Sequence, residues 1–354
     1  MKPPARMSPL LGLLPLYFPR ALGGLDDHLR AHRLVRDIGP CDITVIRRPS
    51  RLQANLLVFE LRRDSWNVVV KYPRNEQGAA TVAREREMLQ RLADDDRLEP
   101  WRPLLPRAVG RPAGPRWTLV QNRLPGVQAE QLIRNTPQDQ DPYRAAAPAL
   151  RLLADLRGAT GRRRPAAERA APWCESQLAV LSAGIPRYST GRRAAEFEAL
   201  RRRLDAALSG AVLTEGWTHG DYHPGNVLLG GDPLRVTGVF DWGNAHTDGP
   251  SEIDAHTFVL ALRGMLTGRS LGDLVADTLR TGHLPDADRA LLALAGVDPD
   301  HDGGDPSAIP LLAWLWHVAG NLRKSPNFGH SHWWLADTVT PVLRESFRWA
   351  CTAP

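Results

Sequence analysis

The chain has 354 residues, 43% of them hydrophobic and 24% charged, with a formal net charge of +6. That length exceeds one minimal core and suits two lobes with insertions, and the composition excludes disordered and fibrous classes. No apolar run reaches the about 18 residues of a membrane span, and no nucleic-acid partner is expected, because the arginines are spread along the chain.

The first 20 residues hold Leu10, Leu11, Leu13, Leu14, Leu16 and Phe18 behind Lys2 and Arg6, a pattern with a faint likeness to a signal peptide. Pro15 interrupts it and no small-x-small cleavage site follows, so an N-terminal arm of about 30 residues, docked or briefly helical, is expected. Cys41, Cys174 and Cys351 are scattered without metal-ligand spacing and read as free thiols of a reducing, cytoplasmic setting.

Short apolar runs predict strands over 43–46, 56–61 and 66–71, the last two joined by the turn-like stretch 62–65 into an antiparallel hairpin. A helix is expected over 79–92 and a strand over 117–121, after the proline-rich stretch 100–115. Leu124-Pro125-Gly126 forms a natural break. Beyond it the periodicity predicts helices over 143–157, 175–182, 192–208, 252–266, 309–322 and 332–349, with short strands at 227–229 and 236–240. Pro310 suits a first helical turn, whereas Pro341 should kink or split the last helix. The result is an α+β chain, strand-rich over 1–122 and helix-rich over 123–354.

The densest polar cluster is Thr218-His219-Gly220-Asp221-Tyr222-His223-Pro224-Gly225-Asn226, followed by Val239-Phe240-Asp241-Trp242-Gly243. Phosphoryl transfer to an alcohol needs a carboxylate to accept the hydroxyl proton, hard oxygen ligands for Mg²⁺, and a cation on the phosphates. Asp221 suits the base, and the amide oxygen of Asn226 and the carboxylate of Asp241 suit the metal from opposite sides of a short hairpin. Pro224 and Gly225 turn the loop so that Asp221 and Asn226 face one cavity.

His219-Gly220-Asp221, Asn226 five residues on, and Asp241-Trp242-Gly243 resemble the aminoglycoside phosphotransferase and choline kinase superfamily, small-molecule relatives of the protein kinases. Gly220 and the ending His223-Pro224-Gly225-Asn226 look like the small-molecule branch. The resemblance implies a protein-kinase-like two-lobe fold: a small antiparallel-sheet lobe for nucleotide, and a larger, mainly helical lobe for catalysis, metal and acceptor. ATP or GTP would be co-substrate, without preference between them.

The lysine of such folds sits on a strand and is oriented by a helix glutamate. Only three lysines occur in this chain, Lys2, Lys71 and Lys324, so Lys71 at the end of an apolar strand invites a specific reason. Glu85 has Val82, Met88, Leu89 and Leu92 at helical spacing and is the expected partner; Glu87 should face solvent. The phosphate-covering loop falls at 48–55, which contains no glycine, and Ser50 is its candidate phosphate contact. Adenine is expected along Gln121 to Arg123. His219 reads as structural, and His223 as a contact to a phosphate or to the acceptor, or an exposed loop histidine.

The acceptor would lie between the catalytic loop and the C-terminal helices. Residues 246–354 carry 13 acidic and 8 basic side chains, which suits a cationic, aminoglycoside-, sugar- or amino-alcohol-like acceptor. The tryptophans there, Trp314, Trp316, Trp333, Trp334 and Trp349, fit core packing as well as an aromatic wall. Two alternatives stand beside this reading. A nucleotide-binding scaffold without transfer activity is supported only by the glycine-free loop. A protein kinase is opposed by Gly220 and by the lack of an Ala-Pro-Glu segment after Asp241.

Overall fold

The computed structural model describes residues 42–47, 52–53, 55–63, 66–109, 118–137, 141–188, 190–298 and 305–352. The N-terminal arm, Cys41, Ser50 and most of the loop 48–55 lie outside them. Strands β1 (Asp42–Arg47), β2 (Leu56–Arg63), β3 (Trp66–Pro73) and β4 (Leu119–Asn122) form one antiparallel sheet in that order. The hairpin expected between 56 and 71 is the β2–β3 pair, with Val58 opposite Lys71.

Helix α1 (Glu76–Asp94) starts earlier than its apolar periodicity suggests, because Asn75 caps it by accepting from the Gly78 amide. It buries Val82, Glu85, Met88, Leu89 and Leu92 on one face, each large apolar side chain contributing about 1.5–3 kcal/mol. Val82, Met88, Leu89 and Leu92 share a continuous core with Trp101, Trp217, Tyr222 and Trp242, so α1 is packed directly onto the segments that flank the polar motif.

After β4 come β5 (Val127–Gln128), α2 (Ala129–Arg134), α3 (Ala146–Thr160), β6 (Arg162–Pro165), α4 (Ser176–Gly184) and α5 (Gly191–Leu208). Then follow β7 (Val212–Thr218), β8 (Val227–Gly230), β9 (Arg235–Val239) and β10 (His246–Pro250). Two small sheets result, β10-β7-β6 and β5-β8-β9, and the second places β8 and β9 as a hairpin between the two parts of the motif. Helices α6 (Glu252–Thr267), α7 (Leu271–Thr281), α8 (Asp286–Leu294), α9 (Ala308–Lys324) and α10 (Thr340–Thr352) complete the chain. The architecture is the α+β, protein-kinase-like two-lobe fold.

The last predicted helix is split, as Pro341 requires. A three-residue turn from His332 to Trp334 passes through a wide π turn, Leu335–Val339, into α10. Carbonyls released there find side-chain donors: Ser270 on Asp337 O at 2.8 Å and Trp314 Nε1 on Thr338 O at 2.7 Å. Trp314, Trp316 and Trp334 are core residues, and Trp349 lies half-buried under Arg203, whereas Trp333 is exposed.

Candidate active site

Strand β7 delivers the chain into a loop whose backbone is held from below. The amides of His219 and Gly220 donate to the two carboxylate oxygens of Asp254, at 2.6 and 2.9 Å, from the first turn of α6. Burial raises the Asp254 carboxyl to about 7 against the pull of those two amides. Tyr222 anchors the next turn, its hydroxyl donating to Ala149 O at 2.9 Å. Gly220 adopts φ of 73°, and a Cβ there would meet Asn244 O at 2.3 Å, which accounts for glycine in place of a larger residue. Truncating Asp254 to alanine strands two buried N–H groups at about 1–3 kcal/mol each, and should lower the melting temperature measurably in a thermal denaturation scan.

His219 is fully buried, and burial holds its imidazole down at about 4 despite the nearby Asp221 and the Phe240 carbonyl. The neutral ring fits both contacts: Nε2 donates to Phe240 O at 3.0 Å, and Nδ1 accepts from the Asp221 amide at 3.3 Å. Its ring packs at a tilt against the Trp242 ring, 4.5 Å between centroids, so its part is to brace the loop against the hairpin.

Asn226 closes the loop. Its Nδ2 donates to Asp221 O at 2.9 Å, which leaves the amide oxygen for another partner. The Phe240 amide donates to Asn226 O at 3.1 Å and joins this turn to the residue before Asp241. Asp241 has φ of 69°, the one positive value outside glycine among the described residues. Such a conformation is sustained by its surroundings, here the buried Trp242 and the contact of Arg84 Nε with Gly243 O at 2.9 Å.

Lys71 and Glu85 meet as the sequence predicts. The ammonium lies 2.6 Å from each Glu85 oxygen and 3.2 Å from Asp241 Oδ1, with Lys71 and Glu85 both buried. Gln121 is buried beside them, its Nε2 3.5 Å from Glu85 Oε1. Glu87 is exposed and pairs with Arg91. Arg123 is turned onto Glu60 at 3.5 Å and onto Leu124 O.

A cleft of about 520 Å³ opens between the sheet and the β8–β9 hairpin, lined by Val58, Val69, Lys71, Gln121, Arg123, Leu228, Phe240 and Asp241 among others. A second pocket, of about 260 Å³, is walled by Leu260, Ala261, Leu271, Ala313 and Trp314, with His223, Thr257 and His317 as its polar groups. A smaller cleft of about 150 Å³ lies between α1 and the end of α9, with Arg84, His246, Arg323 and Lys324 on its walls. Among the described residues, no carboxylate lines either of these last two.

The structure adds two residues that periodicity and motif spacing passed over. One is Asp254. The other is Lys324, whose Nζ lies 2.6 Å from Asp221 Oδ2 and 3.9 Å from Asp241 Oδ2. Burial alone would raise the Asp221 carboxyl; Lys324, with His223 and His317, outweighs burial and holds it below the usual carboxylate range. The scarcity of lysine that draws attention to Lys71 applies equally to Lys324 and was the available signal.

The class of protein, a phosphotransferase, is shown by the family that the sequence matches. The sequence matches the profile described as "Phosphotransferase enzyme family" over residues 45–252, more than half of its length, and the chain belongs to that family. Among solved structures it is similar to aminoglycoside phosphotransferase APH(3'')-Id from Streptomyces rimosus, with a TM-score of 0.50 and 15% identity over 83% of this chain and 99% of that one. It is also similar to aminoglycoside phosphotransferase APH(4)-Ia, with a TM-score of 0.51 and 14% identity over 89% of this chain and 97% of that one. At such identities the likeness is one of fold. No curated protein matches the sequence.

Proposed function

We propose that the chain transfers the γ-phosphoryl group of ATP or GTP to a hydroxyl of a small molecule, with Asp221 as catalytic base. The observation that carries this reading is the linked cluster Glu85–Lys71–Asp241, with Asp221 and Asn226 joined to each other by a side-chain to main-chain bond, five residues from four separate segments, of which Lys71 and Asp241 line the 520 Å³ cleft. Each has a distinct task in phosphoryl transfer. Lys71, oriented by Glu85, steadies the nucleotide phosphates; Asp221 orients the acceptor oxygen and takes its proton.

Asn226 and Asp241 fit a magnesium ion. Their side-chain oxygens are hard donors, and no group of three or more histidine, cysteine or carboxylate residues suited to a softer or all-protein metal site occurs among the described residues. Mg²⁺ commonly takes one or two protein oxygens and completes its shell with water and phosphate. When bound, it would neutralise charge on the nucleotide phosphates.

Adenine or guanine would lie in the 520 Å³ cleft, whose lining includes Gln121, Asn122 and Arg123, the stretch taken as the boundary between the lobes at 122/123. The amides of Asn122 and Arg123 already donate to Arg107 O and Asn67 O, so a purine contact there would use other backbone groups. Ser50, which lies outside the described residues, is the proposed phosphate contact of segment 48–55. His223 stands in the wall of the 260 Å³ pocket, on the side where an acceptor would approach Asp221. Among aminoglycoside-, sugar- and amino-alcohol-like acceptors, walls that carry no carboxylate among the described residues favour a weakly charged alcohol with an apolar face over a polycation.

The nucleotide half of the proposal is tested by titration calorimetry with a non-hydrolysable ATP analogue and Mg²⁺. Asp241→Ala should weaken Mg²⁺-dependent binding by about tenfold or more, through loss of one of two protein oxygens and a partner of Lys71. Unchanged Mg²⁺-dependent affinity in that variant contradicts the assignment.

A further inference from the structure

The family match ends at residue 252, yet the ammonium on Asp221 comes from Lys324, the last residue of α9. Its two carboxylate neighbours are the proposed base and the proposed metal ligand. In the reaction proposed above, the phosphoryl group travels from phosphates held at Asp241 and Lys71 to an oxygen held at Asp221. A cation 2.6 Å from one end of that path and 3.9 Å from the other stands beside the group in transit. We propose that Lys324 is a catalytic residue whose ammonium moves from Asp221 onto the oxygens of the transferring phosphoryl group.

Residue type and placement both support this. A guanidinium would grip Asp221 through two parallel hydrogen bonds, whereas an ammonium on a flexible stem can pass from carboxylate to phosphoryl oxygen. The chain has 45 basic residues, and the two lysines among the described residues are the two that meet at Asp241. The end of α9 is also tied to the nucleotide-binding lobe. Asn55 Nδ2 donates to Lys324 O at 2.7 Å and Gln77 Nε2 to Arg323 O at 3.0 Å. Asn55 is itself bonded to Gln77 and Asn75 at the start of α1. Movement of that lobe over the nucleotide therefore carries the backbone of Lys324 with it.

The step balances without a further reactant. The acceptor oxygen forms its bond to the γ-phosphorus as the bond to the bridging oxygen breaks, the hydroxyl proton goes to Asp221, and the nucleoside diphosphate leaves. Lys324 stays protonated and neutralises charge on the three peripheral oxygens. This inference rests on the phosphotransferase mechanism proposed above, so its test separates the two.

The probe is ADP with Mg²⁺ and aluminium fluoride, a mimic of the phosphoryl group in transit, measured by calorimetry beside ADP alone. Lys324→Met should bind ADP within about threefold of wild type but lose about 100-fold or more of the extra affinity that fluoroaluminate confers, with a parallel fall in nucleotide turnover. Lys324→Gln provides the same test if the methionine variant does not fold. Wild-type gain from aluminium fluoride in a folded Lys324 variant overturns the inference, as does an equal loss of ADP affinity, which would mark a structural role. If Asp221→Asn also turns over at the wild-type rate, the mechanism itself fails and not Lys324 alone.

Discussion

Asparagine in place of Asp221 should lower phosphoryl transfer by about 10²–10⁴-fold while leaving nucleotide affinity within about threefold. The amide has the shape of the carboxylate and can still accept from Lys324, but it cannot take up a hydroxyl proton. The loop should survive the change, because its backbone hangs from Asp254 and Tyr222, and the bond from Asn226 goes to the Asp221 main chain. Single-turnover kinetics and calorimetry on the same preparation separate the two effects. A second consequence follows from the charge around Asp221. Lys324, His223 and His317 hold its carboxyl below the ordinary carboxylate range, so the base is ionised throughout the range from about pH 5 to about pH 7. Protonation of Asp221 should therefore cause no loss of rate across that interval.

Glu85→Ala should be the most destabilising change in the cleft. Lys71 and Glu85 are buried, and removing one member of such a pair typically costs about 3–5 kcal/mol, because the remaining charge loses its partner. Asp241 at 3.2 Å moderates the loss by keeping one carboxylate on Lys71. The double variant Lys71→Met with Glu85→Leu separates stability from function. Apolar side chains of similar size should recover most of the melting temperature, while Mg²⁺-nucleotide affinity stays at least about tenfold below wild type because the phosphate-steadying cation is gone. Differential scanning calorimetry and nucleotide titration of the three proteins make the comparison. Recovery of nucleotide affinity along with stability would show that the pair is only structural.

The parts of this site legible in the sequence are those encoded locally. Glu85 could be chosen over Glu87 because helical spacing sets Val82, Met88, Leu89 and Leu92 around it, and that face is the buried one. The spacing of Asp221, Asn226 and Asp241 is likewise local, since one short hairpin carries all three. Asp254 and Lys324 act across 35 and 103 residues of chain, through backbone amides and one side-chain contact, and no periodicity records such pairings. The strands β6 and β10 escaped for a different reason. β6 reads Arg-Arg-Arg-Pro and is exposed throughout, so its partner β7, and not its own alternation, makes it a strand. Helices α7 and α8 were also missed, although each carries a buried apolar stripe; both are short and separated by a brief connection. Acidic excess in the last third suggested a cationic acceptor, but net charge counts solvated helix faces and loops alike. The two pockets that flank Asp221 draw their charge from Arg84, Arg323, Lys324 and histidines.

The central claim is transfer to a small-molecule hydroxyl that depends on Asp221. It is tested most directly by incubating wild type and Asp221→Asn with a panel of hydroxylated metabolites and aminoglycosides, Mg²⁺ and labelled ATP or GTP. Products are read by mass spectrometry. The account predicts a phosphorylated small molecule from the wild type, reduced by at least about 100-fold with the variant. Equal product from both proteins, or labelled protein with no labelled small molecule, would contradict it.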